Sequence, residues 1–219
     1  MTTRRDATVG LIAATGLLLV PGLAAAQQQQ PIELPAPRAD FGTSLAQALK
    51  QRRSTRDFAP RPLAPQALSE LLWCAYGINR PASADRTAPS WRHARETDIL
   101  AATADGTWRY DPVAHRLLPH LAGDIRSQTG VQDFVGSAPL NLIYVTNIEH
   151  MGGVSREEQH RVAAADIGFI GQNVYLYCAS EGLACVFRAS LDVDRLATTL
   201  KLAETQFISF VQTVGYPAS

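Results

Sequence analysis

Two short stretches of the chain combine residue types that can hold or transform a ligand. The first is "RRSTRDF", residues 52–58, where Arg52, Arg53 and Arg56 surround Ser54. Guanidinium groups present forked N–H donors that match phosphate oxygens, and a serine hydroxyl adds one more donor. Read from composition alone, the same run is a solvated basic turn. The second is "RTAPSWRHARE", residues 86–96, which brings Pro89, Ser90, Trp91 and His93 into a turn-rich segment. Trp91 offers a flat surface for stacking or for packing at an interface. His93 carries an imidazole. It serves either as a proton or hydrogen-bond donor to a substrate or simply as a hydrogen-bonding loop residue.

Other chemistries find no support in the pattern. Cys74, Cys178 and Cys185 are each flanked by apolar residues, and an odd count gives no disulfide framework and no metal spacing. They read as buried and inert. No Gly-x-Gly-x-x-Gly follows a strand, there is no P-loop, and neither "GLACVFRAS" nor "SAPLNLIY" is a nucleophile elbow. Lys plus Arg number 20 and Asp plus Glu number 20, so formal charge is zero. That balance argues against a general nucleic-acid or membrane-surface binder and confines any anion site to a local cluster. The remaining histidines, His115, His120, His150 and His160, are scattered and receive no role. Gln172 and Asn173, inside an apolar helical run, read as structural hydrogen-bonding residues.

These stretches must be positioned by the elements around them. Apolar residues at 45, 48 and 49 predict a helix over 44–53, capped by Thr43 or Ser44. Leu68, Leu71, Leu72 and Ala75 share one helical face behind Pro65, which suits a first turn, and Gly77 closes that helix. Residues 79–95 read as a long loop. A hairpin or meander follows with Asp105-Gly106 as its turn, then a buried strand at 139–147. Residues 156–181 form the longest helical pattern, stopped by Gly182 and expected to be central and largely buried. A short amphipathic helix at 191–202 and a final strand at 205–217 complete the order. Helices and strands are segregated rather than alternating, which predicts an α+β fold.

At the N-terminus, Arg4 and Arg5 precede an apolar run over residues 9–20 and the small residues Ala24-Ala25-Ala26. This order predicts a cleaved export signal over 1–26, twin-arginine in style, the alternative being an uncleaved anchor. Residues 27–40 read as a Pro/Gln-rich linker, and 41–219 as one domain. No later run is long and apolar enough to span a membrane, so a soluble periplasmic or secreted protein is expected.

Taken in order, "RRSTRDF" (52–58), "RTAPSWRHARETDI" (86–99), "DIGFIGQNVYLYCASEGL" (166–183) and "TVGYP" (213–217) resemble the FMN-dependent nitroreductase family over roughly residues 45–217, in a compact version. The resemblance implies an α+β fold with a central mixed, mainly antiparallel sheet, built as an intertwined homodimer with FMN at the subunit interface. It implies that Arg52, Arg53, Ser54 and Arg56 contact the FMN phosphate, ribityl chain and pyrimidine edge. It further implies that Pro89, Ser90, Trp91 and His93 form a loop laid against the partner's flavin, and that Ala189 and Ser190 pass backbone N–H groups near flavin N5 and O4. His93 stands where many members have Asn, and Ala189 where Gly is common. The sequence ends at "GYPAS" where many relatives carry a basic pair, which leaves Arg92, Arg95 or Arg188 as candidates to support the phosphate. The implied activity is ping-pong transfer of hydride or electrons to or from a small aromatic or quinone-like molecule. NAD(P)H, a quinol or a redox protein is the donor. The alternative is a non-catalytic flavin-binding or partner-binding protein that retains the fold.

Overall fold

The computed structural model describes residues 29–218. The predicted export signal lies outside the described residues. In chain order the elements are β1 (Ile32–Glu33), α1 (Leu45–Gln51), α2 (Pro65–Tyr76), β2 (Ile78–Arg80), β3 (Asp85–Arg86), β4 (Thr97–Thr103), β5 (Gly106–Asp111), β6 (Arg116–Ala122), β7 (Leu140–Asn147), α3 (Arg156–Ser180), β8 (Ala184–Arg188), α4 (Val193–Thr199) and β9 (Gln206–Gly215).

Seven strands form one sheet in the order β1-β6-β5-β4-β7-β9-β8, and every hydrogen-bonded pair in it is antiparallel. The sheet is thus antiparallel throughout, where a mixed, mainly antiparallel one was expected. Alternation along the strands builds two cores. Ile99, Ala101, Leu142 and Tyr144 face α2 and α3, while Leu100, Ala102, Ile143 and Val145 face α4. This double covering is why β7 is buried along almost its whole length.

Local signals place the helix ends. The Ser44 hydroxyl accepts the Gln47 N–H, Pro65 opens α2, and Gly182 follows α3 with φ +70°, a backbone that a side chain strains. Gly77 closes α2 for a different reason. Its φ is −70°, but a Cβ there would sit 2.4 Å from Trp73 Cδ1.

Three expectations change. The loop 79–95 contains the β2–β3 ribbon and a 3₁₀ turn at Trp91–His93. Residues 184–188, assigned no element from sequence, form edge strand β8; five residues carry too little pattern to announce a strand. Helix α3 is buried on one side only: Ile167, Ile170 and Val174 are sealed, but Phe169 is 49% exposed and Gln172 is exposed.

The segment read as a linker is docked on the domain from Gln29 onward. The Arg38 guanidinium binds the buried Glu70 carboxylate through two bonds of 2.6 and 2.8 Å, and the Pro35 and Ala36 carbonyls accept from Ser69 and Gln66. That bidentate pair holds the Glu70 carboxyl down at about 2. Burial pushes the Cys74 thiol up to about 12, in keeping with inert cysteines.

Candidate functional site

After α1 the backbone turns extended at Arg52 (φ −56°, ψ 120°) and crosses the ends of β8 and β9. The Thr55 N–H donates to the Cys185 carbonyl at 2.9 Å, Phe58 bridges to Pro217, and the Ala59 N–H donates to Tyr216. An extended chain points successive side chains to opposite sides. Arg53 and Thr55 therefore line a cleft of about 480 Å³ with Cys178, Ala184 and Pro217, whereas Arg52, Ser54 and Arg56 do not. The structure thus divides the four residues grouped by the sequence.

Tyr175, on α3, fixes Ser54. Its hydroxyl accepts the Phe187 N–H at 2.8 Å and shares a hydrogen bond of 2.8 Å with Ser54 Oγ, in which either oxygen can donate. Arg52 lies 5.2 Å from the centroid of the same tyrosine ring. Among the described residues, Arg52, Arg53 and Arg56 have no carboxylate within ion-pair distance. Three uncompensated guanidiniums beside a serine hydroxyl form a group suited to a phosphate. Tyr175 received no role from sequence, because its contacts come from residues far away in the chain.

The second stretch is held at the other half of the same helix. The Trp91 N–H donates to Asp166 Oδ2 at 2.6 Å, and the Arg95 N–H donates to the Ser90 hydroxyl at 3.1 Å. Trp91 packs against Met151, Val162 and Ala163. The backbone there is strained: Arg92, His93 and Arg95 have φ of +48°, +57° and +51°, a region that costs non-glycine residues about 1–2 kcal/mol each. The His93 ring is exposed, with Nδ1 3.5 Å from Asp85 Oδ1.

A buried acid pair underlies this loop. Glu96 is 1% exposed and Asp166 6% exposed. Glu96 Oε1 accepts from the Thr97 hydroxyl, but Oε2 is buried with no donor. A proton on Glu96, given to the neighbouring Asp166 carboxylate, satisfies both groups. Burial first, then the Asp166 charge, hold the Glu96 carboxyl up at about 7. Burial also raises Asp166, opposed by the Trp91 N–H and by Glu96, so Asp166 is the ionised partner. Sequence reasoning passed over both acids. The available signal was Asp166 itself, an acid within an otherwise apolar helical run.

Ala189 and Ser190 follow β8 and are exposed; the Ser190 carbonyl accepts the Val131 N–H at 3.3 Å. Arg188 is 5% exposed and fully engaged: Thr213, Asn141, Gln132 and the Thr129 carbonyl take its N–H groups. It has nothing left for a phosphate. Within one chain the candidate residues do not converge. The anchors Tyr175 and Asp166 are nine residues apart on α3, about 13 Å. Ala189 lies four residues, again about 13 Å, along β8 from the Thr55 contact.

A seven-stranded antiparallel sheet with α1–α3 on one face, and two anchored segments sharing one long helix, define a nitroreductase-type fold. The sequence pattern of the nitroreductase family matches residues 49–216. The crystal structure of a "putative nitroreductase" from Ralstonia eutropha JMP134 superposes with a TM-score of 0.84 at 42% identity, covering 92% of this chain and 96% of that one. "Putative nitroreductase MJ1384" of Methanocaldococcus jannaschii is 28% identical over 170 residues, 73% of this chain and 85% of the relative. The NADPH:FMN oxidoreductase of Vibrio harveyi, complexed with NAD+, shares the fold at a TM-score of 0.59 and 18% identity, covering 80% of this chain and 67% of its own. The chain belongs to the nitroreductase family.

Proposed function

We propose that this protein is an FMN-dependent oxidoreductase that works as a homodimer. The observation that carries the reading is the segment 52–56, where three guanidiniums without carboxylate partners among the described residues flank a serine hydroxyl held by Tyr175. A bound flavin supplies two-electron redox chemistry at N5, and the protein supplies binding, orientation and charge stabilisation. Arg52 and Arg56 would hold the phosphate and pyrimidine edge, with Ser54 donating between them. Arg53 faces the neighbouring cleft instead.

The proposal of a dimer follows from the separation along α3. Phe169 is exposed between the two anchors, and Leu45 and Leu49 of α1 are 64% and 53% exposed. An antiparallel second copy packed on this apolar face sets the Trp91 loop of one chain over the Arg52–Ser54 segment of the other. Pro89, Ser90, Trp91 and His93 then cover the partner's flavin, and Ala189 and Ser190 reach it through backbone N–H groups. The proposed reaction is ping-pong, with a small aromatic or quinone-like substrate and NAD(P)H, a quinol or a redox protein as the other partner. No described helix is long and apolar enough to cross a membrane. The order of basic, apolar and small residues over 1–26 supports export, so a periplasmic or secreted location is proposed with it.

The test is the visible spectrum of the purified protein, followed by anaerobic addition of NADH or NADPH with a quinone or nitroaromatic. A yellow protein that is bleached and then reoxidised by substrate is expected. A colourless protein that takes up no FMN overturns the proposal, and a yellow one that no donor reduces points to a non-catalytic flavin carrier. The double variant Arg52→Ala, Arg56→Ala should stay folded and lose about 3–6 kcal/mol of FMN binding, read by flavin titration.

A further inference from the structure

A second cavity, of about 670 Å³, opens beneath the Trp91 loop between the N-terminal end of β4 and the C-terminal end of β5. Arg86, Arg92, Arg95 and Arg109 line it, against only two acids, Asp98 and Asp111. Those acids are partly occupied. Asp111 accepts the Val113 and Ala114 N–H groups and pairs with Arg116, and Asp98 stands 3.8 Å from Arg109. Arg95 shares Asp85 with Arg80 and His93.

Arg86 is left uncompensated. Its Nε and Nη1 are buried with no hydrogen-bond partner, and among the described residues no carboxylate lies within ion-pair distance of it. The Tyr76 hydroxyl, on the same cavity wall, is also buried, with the Ser90 side chain beside it, and its ring centroid lies 5.2 Å from the Arg86 guanidinium carbon. Buried donors left in this state are rare in folded proteins and call for a partner. Burial also pushes the Arg86 guanidinium below its ordinary pKa, as expected of a cation lacking an anion. Ile99, Pro112 and Val113 add apolar surface to a wall that also carries Thr97, His93 and His150.

We propose that this cavity is a binding site for the oxyanion of a small organic molecule, a carboxylate or a phosphate monoester, with Arg86 as the buried charge behind its wall and Arg92 and Arg109 as the donors at its rim. Neutralisation does not require contact with the sealed nitrogen atoms, because in a low-dielectric wall a charge a few ångström away is strongly felt. Ile99, Pro112 and Val113 offer apolar surface to the organic body of the molecule. The cavity shares Arg92 and His93 with the loop proposed to cover the partner's flavin, but its buried charge, Arg86, lies outside that loop and outside the segment 52–56.

The experiment is calorimetric titration of the purified full chain, with whatever flavin it carries, using sodium benzoate and inorganic phosphate in separate runs at constant ionic strength. Saturable binding of either probe with a Kd below about 10 mM is expected. Benzoate alone identifies a carboxylate site with an apolar wall, and phosphate alone a phosphoryl site. Arg86→Gln should raise the Kd about tenfold or more, and Arg109→Gln, on the rim, about threefold. Arg109→Gln also serves as the readout if Arg86→Gln does not fold. Absence of binding by both probes, or unchanged affinity in the variants, overturns the inference. So does release of flavin colour in step with anion binding, which would make the anion a competitor for the flavin's own phosphate site.

Discussion

The segment 52–58 and the loop 86–95 are both basic, both tied to α3, and held in opposite ways. The first is relaxed. Its backbone is extended, its N–H groups find the ends of β8 and β9, and one tyrosine hydroxyl orients its serine. The second is strained. Three non-glycine residues sit at positive φ, and the conformation persists because Asp166 grips the Trp91 N–H from a buried, proton-sharing pair. A relaxed segment presents donors at little cost, as a permanent anchor requires. A strained one depends on its support, and its position responds to whatever alters that support.

The largest expected test of this contrast uses pH. Glu96 holds its proton up to about 7 in the folded chain, and an unfolded glutamate releases it near about 4.3. Between those values the folded state binds more protons, so this group's contribution to stability falls as pH rises, and it levels off above about 7. Glu96→Gln keeps a neutral donor toward Asp166. It should remove that slope and make the protein more stable than the parent at pH 8 by on the order of 2–3 kcal/mol, measured by urea denaturation across pH. An unchanged pH profile in the variant would show that the pair does not share a proton.

A smaller effect is expected on the relaxed side. Tyr175→Phe removes the acceptor of the Phe187 N–H and the hydrogen-bond partner of Ser54, and should cost about 1–3 kcal/mol of stability with no dependence on pH near neutrality. If its effect follows the Glu96 profile instead, the two regions are not separate. The smallest change is a gain. Arg92→Gly relieves one left-handed position and should stabilise the fold by about 0.5–1 kcal/mol in thermal melts, net of the glycine's greater unfolded-state entropy. The same substitution in the extended segment, at Arg53, has no strain to relieve and should gain nothing.

How much was legible follows the range of the forces. Ser44, Pro65 and Gly182 announced their helix ends because capping and backbone sterics act within a few residues. The alternating, doubly buried β7 was readable for the same reason. β8 was not, because its identity comes from pairing with β9, some twenty residues later in the chain. The docked segment at 31–38 looked like a linker because its partners, Glu70, Ser69 and Gln66, lie far along the sequence.

The sequence by itself determined the α+β order, the placement of the caps and the two basic stretches worth attention, since each is written in neighbouring residues. Only the tertiary structure decided which arginines are available. Arg188 and Arg52 are the same side chain, yet one is spent on Thr213, Asn141, Gln132 and a carbonyl while the other faces a tyrosine ring with no acid in reach. A guanidinium's use is set by the acceptors that folding brings within about 3 Å of it, and those come from anywhere in the chain.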